Sequence, residues 1–90
     1  MTAAPTPSHF DTAARDWDQR PMSQQLAAVP PRLLAHLPLA PTDHVLDFGG
    51  GTGLLATRMA PRVAQVTALD MSDAMLQVLA DKGFANITPH

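Results

Sequence analysis

The chain has 90 residues, 46% of them apolar, which bounds it to one small domain with the composition for a packed core. A formal net charge of −2 and a pI near 6.0 give no basic footprint for nucleic acid and no polybasic patch for a membrane surface. Cysteine is absent and the four histidines (His9, His36, His44, His90) lack ligand spacing, so neither a disulfide framework nor a metal site is indicated.

Residues 1–8 are small, polar and proline-rich and read as a disordered N-terminus. They lack the basic start and apolar stretch of a signal peptide, and no later run approaches the roughly 20 apolar residues of a membrane span, so a soluble cytoplasmic protein is expected. Residues 9–41 read as a helical leader. Phe10, Ala13, Ala14 and Trp17 are spaced i, i+3, i+4, i+7, which predicts one amphipathic helix over 10–20, interrupted by Pro21. Trp17 is expected to anchor that helix on the rest of the fold. A second helix is expected over about 23–29 and a break at Pro30-Pro31, with Pro31 in the first turn of a third helix over 32–37. The prolines at 38 and 41 end it.

From residue 42 the texture changes. Thr42-Asp43 is a turn, 44–48 a short strand, 52 to about 60 a helix stopped near Pro61, and 63–69 a second strand with Asp70 at its carboxyl end. Ser72 is a natural N-cap for a helix over 73–82, with Asp73 in its first turn, Lys82 in its last and Gly83 just beyond. Residues 86–88 begin a third strand. The alternation predicts an α/β fold: a Rossmann-like parallel sheet with flanking helices, comprising two βα units and the start of a third strand over 42–90.

The stretch Asp47-Phe48-Gly49-Gly50-Gly51-Thr52-Gly53 joins the first strand to its helix. Glycine supplies positive φ and lets a ligand approach closer than a Cβ would allow. Freed backbone N–H groups can donate to a polar ligand, and the carboxyl ends of parallel strands are where such sheets bind ligands. Asp70, at the end of the next strand, can accept both hydroxyls of a ribose. Met75 reads as core filler.

Asp47-x-Gly49-x-Gly51-x-Gly53 resembles the acid-x-Gly-x-Gly-x-Gly motif of class I S-adenosylmethionine-dependent methyltransferases. The stretch Val66-Thr67-Ala68-Leu69-Asp70-Met71-Ser72-Asp73-Ala74-Met75-Leu76 resembles that family's next conserved block, and the segment 10–18 is similar to leaders of small methyltransferases. The resemblance implies S-adenosyl-L-methionine as cofactor. It places Gly49, Gly51 and Gly53 beside the methionine and ribose, Asp47 near the methionyl amino group, Asp70 on the ribose hydroxyls and Met71 on the adenine. The implied reaction is in-line transfer of the sulfonium methyl to an unidentified acceptor, with S-adenosylhomocysteine (SAH) leaving. A small-molecule acceptor is favoured over nucleic acid, and no residue of the chain is marked as catalytic.

Complete members of that family carry further strands beside the first one. These residues are therefore expected to be the N-terminal part of a longer protein or a truncated one, and an unpaired edge on the first strand would be open to self-association. Two alternatives stand beside the methyltransferase reading. Gly51-Thr52-Gly53-Leu54-Leu55-Ala56 fits the Gly-x-Gly-x-x-Ala of an NAD(P)- or FAD-binding oxidoreductase, although Asp47 would then stand near a pyrophosphate. The other is a non-catalytic fragment or interaction module.

Overall fold

Alternation of buried and open positions builds the sheet. The computed structural model describes residues 9–90; the expectation for 1–8 lies outside the described residues. Strand β1 (His44–Phe48) pairs in parallel with β2 (Gln65–Leu69), and β2 pairs in parallel with β3 (Ile87–Pro89), giving the order β1-β2-β3. The register sets Val45 beside Val66 and Asp47 beside Ala68, while Val66 lies beside Ile87. These residues share one face of the pleat, where Val66 and Ala68 are fully buried. On the opposite face Leu46 and Phe48 are open to solvent. Because Phe48 is level with Leu69, the glycine loop after β1 and Asp70 after β2 emerge side by side.

The described residues form five short α-helices, α1 (His9–Ala13), α2 (Pro21–Leu26), α3 (Val29–Leu34), α4 (Ala56–Met59) and α5 (Asp73–Asp81). The core gathers Leu34 of α3, Ala56 and Met59 of α4, Ala60, Val63, Val66 and Ala68, Leu79 of α5 and Ile87 of β3. Helix α5 starts where its cap predicts: the Ser72 side chain accepts from Met75 N at 3.2 Å, satisfying one of the free first-turn donors. Met75, Leu76 and Leu79 are its buried residues, and Gly83 follows at φ 78°. No helix among the described residues is long and apolar enough to cross a membrane.

Several boundaries differ from the sequence pattern, each for a local reason. The expected single helix over 10–20 is α-helical only to Ala13 and then winds as a tighter 3-10 segment over Ala14–Gln19. Arg20 is extended (φ −67°, ψ 143°), as the residue before a proline should be, and Pro21 opens α2 instead of merely ending what precedes it. Pro30 and Pro31 do not break the chain. They lie in the first turn of α3, where backbone N–H groups have no helical partner to lose. Residues 35–37 continue past α3 in turn-type bonds to Pro31, Leu33 and Leu34 carbonyls, so the expected helix over 32–37 ends three residues early. Helix α4 begins at Ala56, not Thr52, because residues 51–55 are turns shaped by the glycines. Pro61 sits in a 3-10 turn, Ala60–Arg62, that extends α4. Strand β2 starts at Gln65, since Ala64 and Gln65 donate to the Asp43 carbonyl before the ladder begins.

Candidate functional site

The loop after β1 is stitched to the end of β2 by its own backbone. Gly49 N and Gly50 N donate to the Leu69 carbonyl at 2.7 and 3.3 Å, and Gly51 N donates to Asp70 Oδ2 at 2.9 Å. Asp70 Oδ1 accepts from Ser72 N at 2.9 Å. Asp70 therefore ties the loop to the start of α5. Each carboxylate oxygen has two lone pairs, so one on each remains for a ligand hydroxyl. Gly49, Gly51 and Gly53 stand at φ 72°, 57° and 86°, a region that side chains rarely adopt. At Gly53 space is also decisive, because a Cβ would lie 2.3 Å from Leu79 Cδ1.

Asp47 points away from solvent on the buried face of β1, 9% exposed, and its Oδ2 has no hydrogen-bond partner among the described residues. Burial first, and the negative Asp70 second, push its carboxyl pKa above the ordinary value. A carboxylate held like this gains most from a cation or an N–H donor brought to it. Gly50 is what makes room for it: a Cβ there would meet Asp47 Oδ2 at 2.3 Å.

Two hollows meet across Gly49 and Gly50. The larger is an open cleft of roughly 1290 Å³, walled by residues 49–51, Asp70, Met71, Phe10 and Trp17. Such a space exceeds what a drug-sized ligand needs. The smaller, about 290 Å³, is lined by Asp47 together with Leu26, Val29, Leu54 and Leu55. The sequence-predicted residues thus divide between the two: Asp47 faces the small hollow, Asp70 and Met71 the cleft, Gly49 both, while Gly53 lies behind them against Leu79. Met71 is fully exposed at the cleft wall.

Trp17, expected as an anchor on the sheet, stands in the cleft wall instead. Its ring meets Phe10 edge-to-face at 5.7 Å, and the Arg20 guanidinium lies 5.8 Å from its centroid. The leader is held there by polar ties. Ser72 Oγ donates to Asp11 Oδ1 at 2.5 Å, Thr52 Oγ1 donates to Asp18 Oδ1 at 2.5 Å, and Lys82 Nζ reaches both Asp18 Oδ2 and the Thr52 carbonyl at 2.7 Å. Asp11, Asp18, Gly50, Thr52 and Lys82 escape the sequence pattern. Gly50 at least carries a signal in its position within the triple glycine. The others pair across 30 residues or more, and nothing in their local context announces a partner.

A family model described as a methyltransferase domain matches residues 45–89, half of the chain, with the glycine loop and Asp70 inside the match. The chain belongs to the class I S-adenosylmethionine-dependent methyltransferase family. It is 42% identical over 74 residues to a ubiquinone biosynthesis O-methyltransferase of Alkalilimnicola ehrlichii, a match covering 77% of this chain and 30% of that protein. It is also 39% identical over 51 residues to a probable ribosomal RNA small subunit methyltransferase A of Methanosarcina mazei, covering 57% of this chain and 19% of the relative. Among solved structures it resembles the DhpI–SAH complex, with a TM-score of 0.73 and 25% identity over 91% of this chain and 40% of that one. The chain thus spans under a third of the length of these two curated relatives.

Proposed function

We propose that the chain forms the cofactor-binding part of an S-adenosylmethionine-dependent methyltransferase acting on a small-molecule acceptor. The observation that carries this reading is the pair of carboxylates on either side of the glycine loop, one buried with an oxygen that has no hydrogen-bond partner among the described residues and one with a spare lone pair on each oxygen. The Asp47 carboxylate suits the ammonium end of an amino-acid-bearing cofactor, because a cation beside it favours the charged form that burial and Asp70 disfavour. Asp70 suits the two ribose hydroxyls, and Met71 offers an apolar, polarizable surface for the adenine at the cleft wall.

When bound, the cofactor supplies an electrophilic sulfonium methyl for in-line attack by a nucleophile. This chain's own residues orient and desolvate. The positive-φ glycines bring backbone, not side chain, against the ligand, and Asp70 fixes the loop and its ligand in one frame. A small-molecule acceptor is supported by the net charge of −2 and by the longer of the two curated matches, whose name places that relative in ubiquinone biosynthesis.

A dinucleotide site is disfavoured by Asp47: a pyrophosphate beside a buried carboxylate with no cation would be repelled. Calorimetric competition on the full chain separates the two. S-adenosylmethionine and SAH should bind and NADH should not; tight NADH binding with no response to either sulfur ligand would refute the reading.

A further inference from the structure

The leader's polar ties converge on one residue of the cofactor loop. Thr52 stands between Gly51 and Gly53, both at positive φ, and is 1% exposed. Its flanking glycines have no side chains with which to hold the loop. Two polar groups of Thr52 are taken by residues outside the loop: its hydroxyl donates to Asp18 Oδ1, and its carbonyl accepts from Lys82 Nζ. Asp18 and Lys82 close the triangle as an ion pair at 2.7 Å, their side chains 23% and 27% exposed, shielded enough for the pair to outweigh an open surface bridge. Three segments that are far apart in sequence, the leader, the glycine loop and the end of α5, are thereby knotted at one point.

At the other end of the same leader stretch, Asp11 accepts from Ser72, which caps α5 and whose N–H is held by Asp70. Phe10, just before the first tie, and Trp17, just before the second, stand in the cleft wall. The 3-10 segment Ala14–Gln19, which departs from the helix its periodicity predicts, carries both Trp17 in the cleft wall and Asp18 bonded to Thr52.

We propose that Asp18 is a positioning residue for the cofactor loop: by holding Thr52 and Lys82 at once, it makes seating of the leader and ordering of residues 51–53 a single event. The inference rests on the cofactor reading of the cleft. A ligand lying between the glycine loop and the Phe10–Trp17 wall favours the state in which both are in place, so binding at the loop and docking of the leader strengthen each other. Asp18 touches no reacting atom and acts only through Thr52 and Lys82.

The test combines SAH calorimetry with amide hydrogen exchange on the full chain. In the wild type, SAH should slow exchange in residues 9–20 as well as in the loop. Asp18→Ala should weaken SAH about tenfold, whereas Lys82→Arg and Thr52→Ser, which keep the cation and the hydroxyl, should stay within about twofold of wild type. Protection of residues 9–20 by SAH should vanish in Asp18→Ala while the Val66 and Ala68 amides of the core strand exchange as before, a separation that mere destabilisation would not produce. If those strand amides also loosen, Thr52→Val serves instead. Wild-type affinity and wild-type leader protection in the folded variant would overturn the positioning role and leave the cofactor reading standing. A wild-type chain that ignores SAH would overturn the cofactor reading, and the positioning role with it.

Discussion

The leader and the sheet are held by different kinds of force. The segment from β1 onward contributes every buried member of the main hydrophobic cluster except Leu34. The leader's helices leave Met22, Leu26, Val29 and Leu33 substantially exposed, and residues 9–20 bury only Ala13 and Ala14. What fixes those residues is directional: Asp11 to Ser72, and Asp18 to Thr52 and Lys82. Apolar packing is tolerant of direction, whereas hydrogen bonds to a loop specify where that loop must be. Residues 9–20 meet α5 through the small side chains of Ala13 and Ala14, while their polar ties reach the glycine loop and the cap of α5.

The sharpest way to break the contrast is at the point where the cradle meets the core. Gly53→Ala places a Cβ 2.3 Å from Leu79 at a φ of 86°. Backbone strain and overpacking together should cost about 3 kcal/mol, read as a fall in the urea midpoint. Gly49→Ala, with a similar φ but nothing within 4 Å, should cost only the strain, about 1 kcal/mol.

Next in size is Ser72→Ala, which removes the cap of α5 and the donor to Asp11 together. A loss of about 1–2 kcal/mol is expected, and proteolysis within residues 9–20 should rise more than the global stability falls. Equal changes in both would mean the leader and the core unfold as one unit.

The smallest effect is read as a slope. The Asp47 pKa is raised in the folded chain, so between the ordinary carboxylate value and the raised one the folded state binds more protons than the unfolded state. Asp47 therefore makes its full stabilising contribution below the unfolded pKa and loses it as pH rises through the folded one. Asp47→Asn should flatten that decline in urea melts taken upward from the ordinary carboxylate value, and it should weaken SAH at neutral pH. A variant that is more stable yet binds less well would mark Asp47 as a residue kept for its ligand.

The features legible in the sequence are those decided locally. Strand β1 has the bounds its apolar run predicts, Ser72 caps α5, and the glycines at 49, 51 and 53 take the positive φ their spacing suggests. The leader was less legible because its winding answers to distant partners. Periodicity at Phe10, Ala13, Ala14 and Trp17 describes a helix, but Ala14–Gln19 winds as a 3-10 segment in which Asp18 bonds to a residue 34 positions away. Asp70 shows the same limit at closer range. Its place after β2 suggests a ligand acceptor, yet only the fold reveals that it also holds Gly51 and Ser72.

On the proposed reading, the glycine loop after Asp47, with Asp70 beside it, cradles S-adenosylmethionine. Titration of SAH into the full chain and into Asp70→Ala, with fold integrity checked by core amide exchange, tests it most directly. The wild type should bind and the folded variant should lose at least about tenfold in affinity, a carboxylate being removed from charge-assisted hydrogen bonds to ribose and loop alike. Equal affinity in the two would contradict that role of the loop.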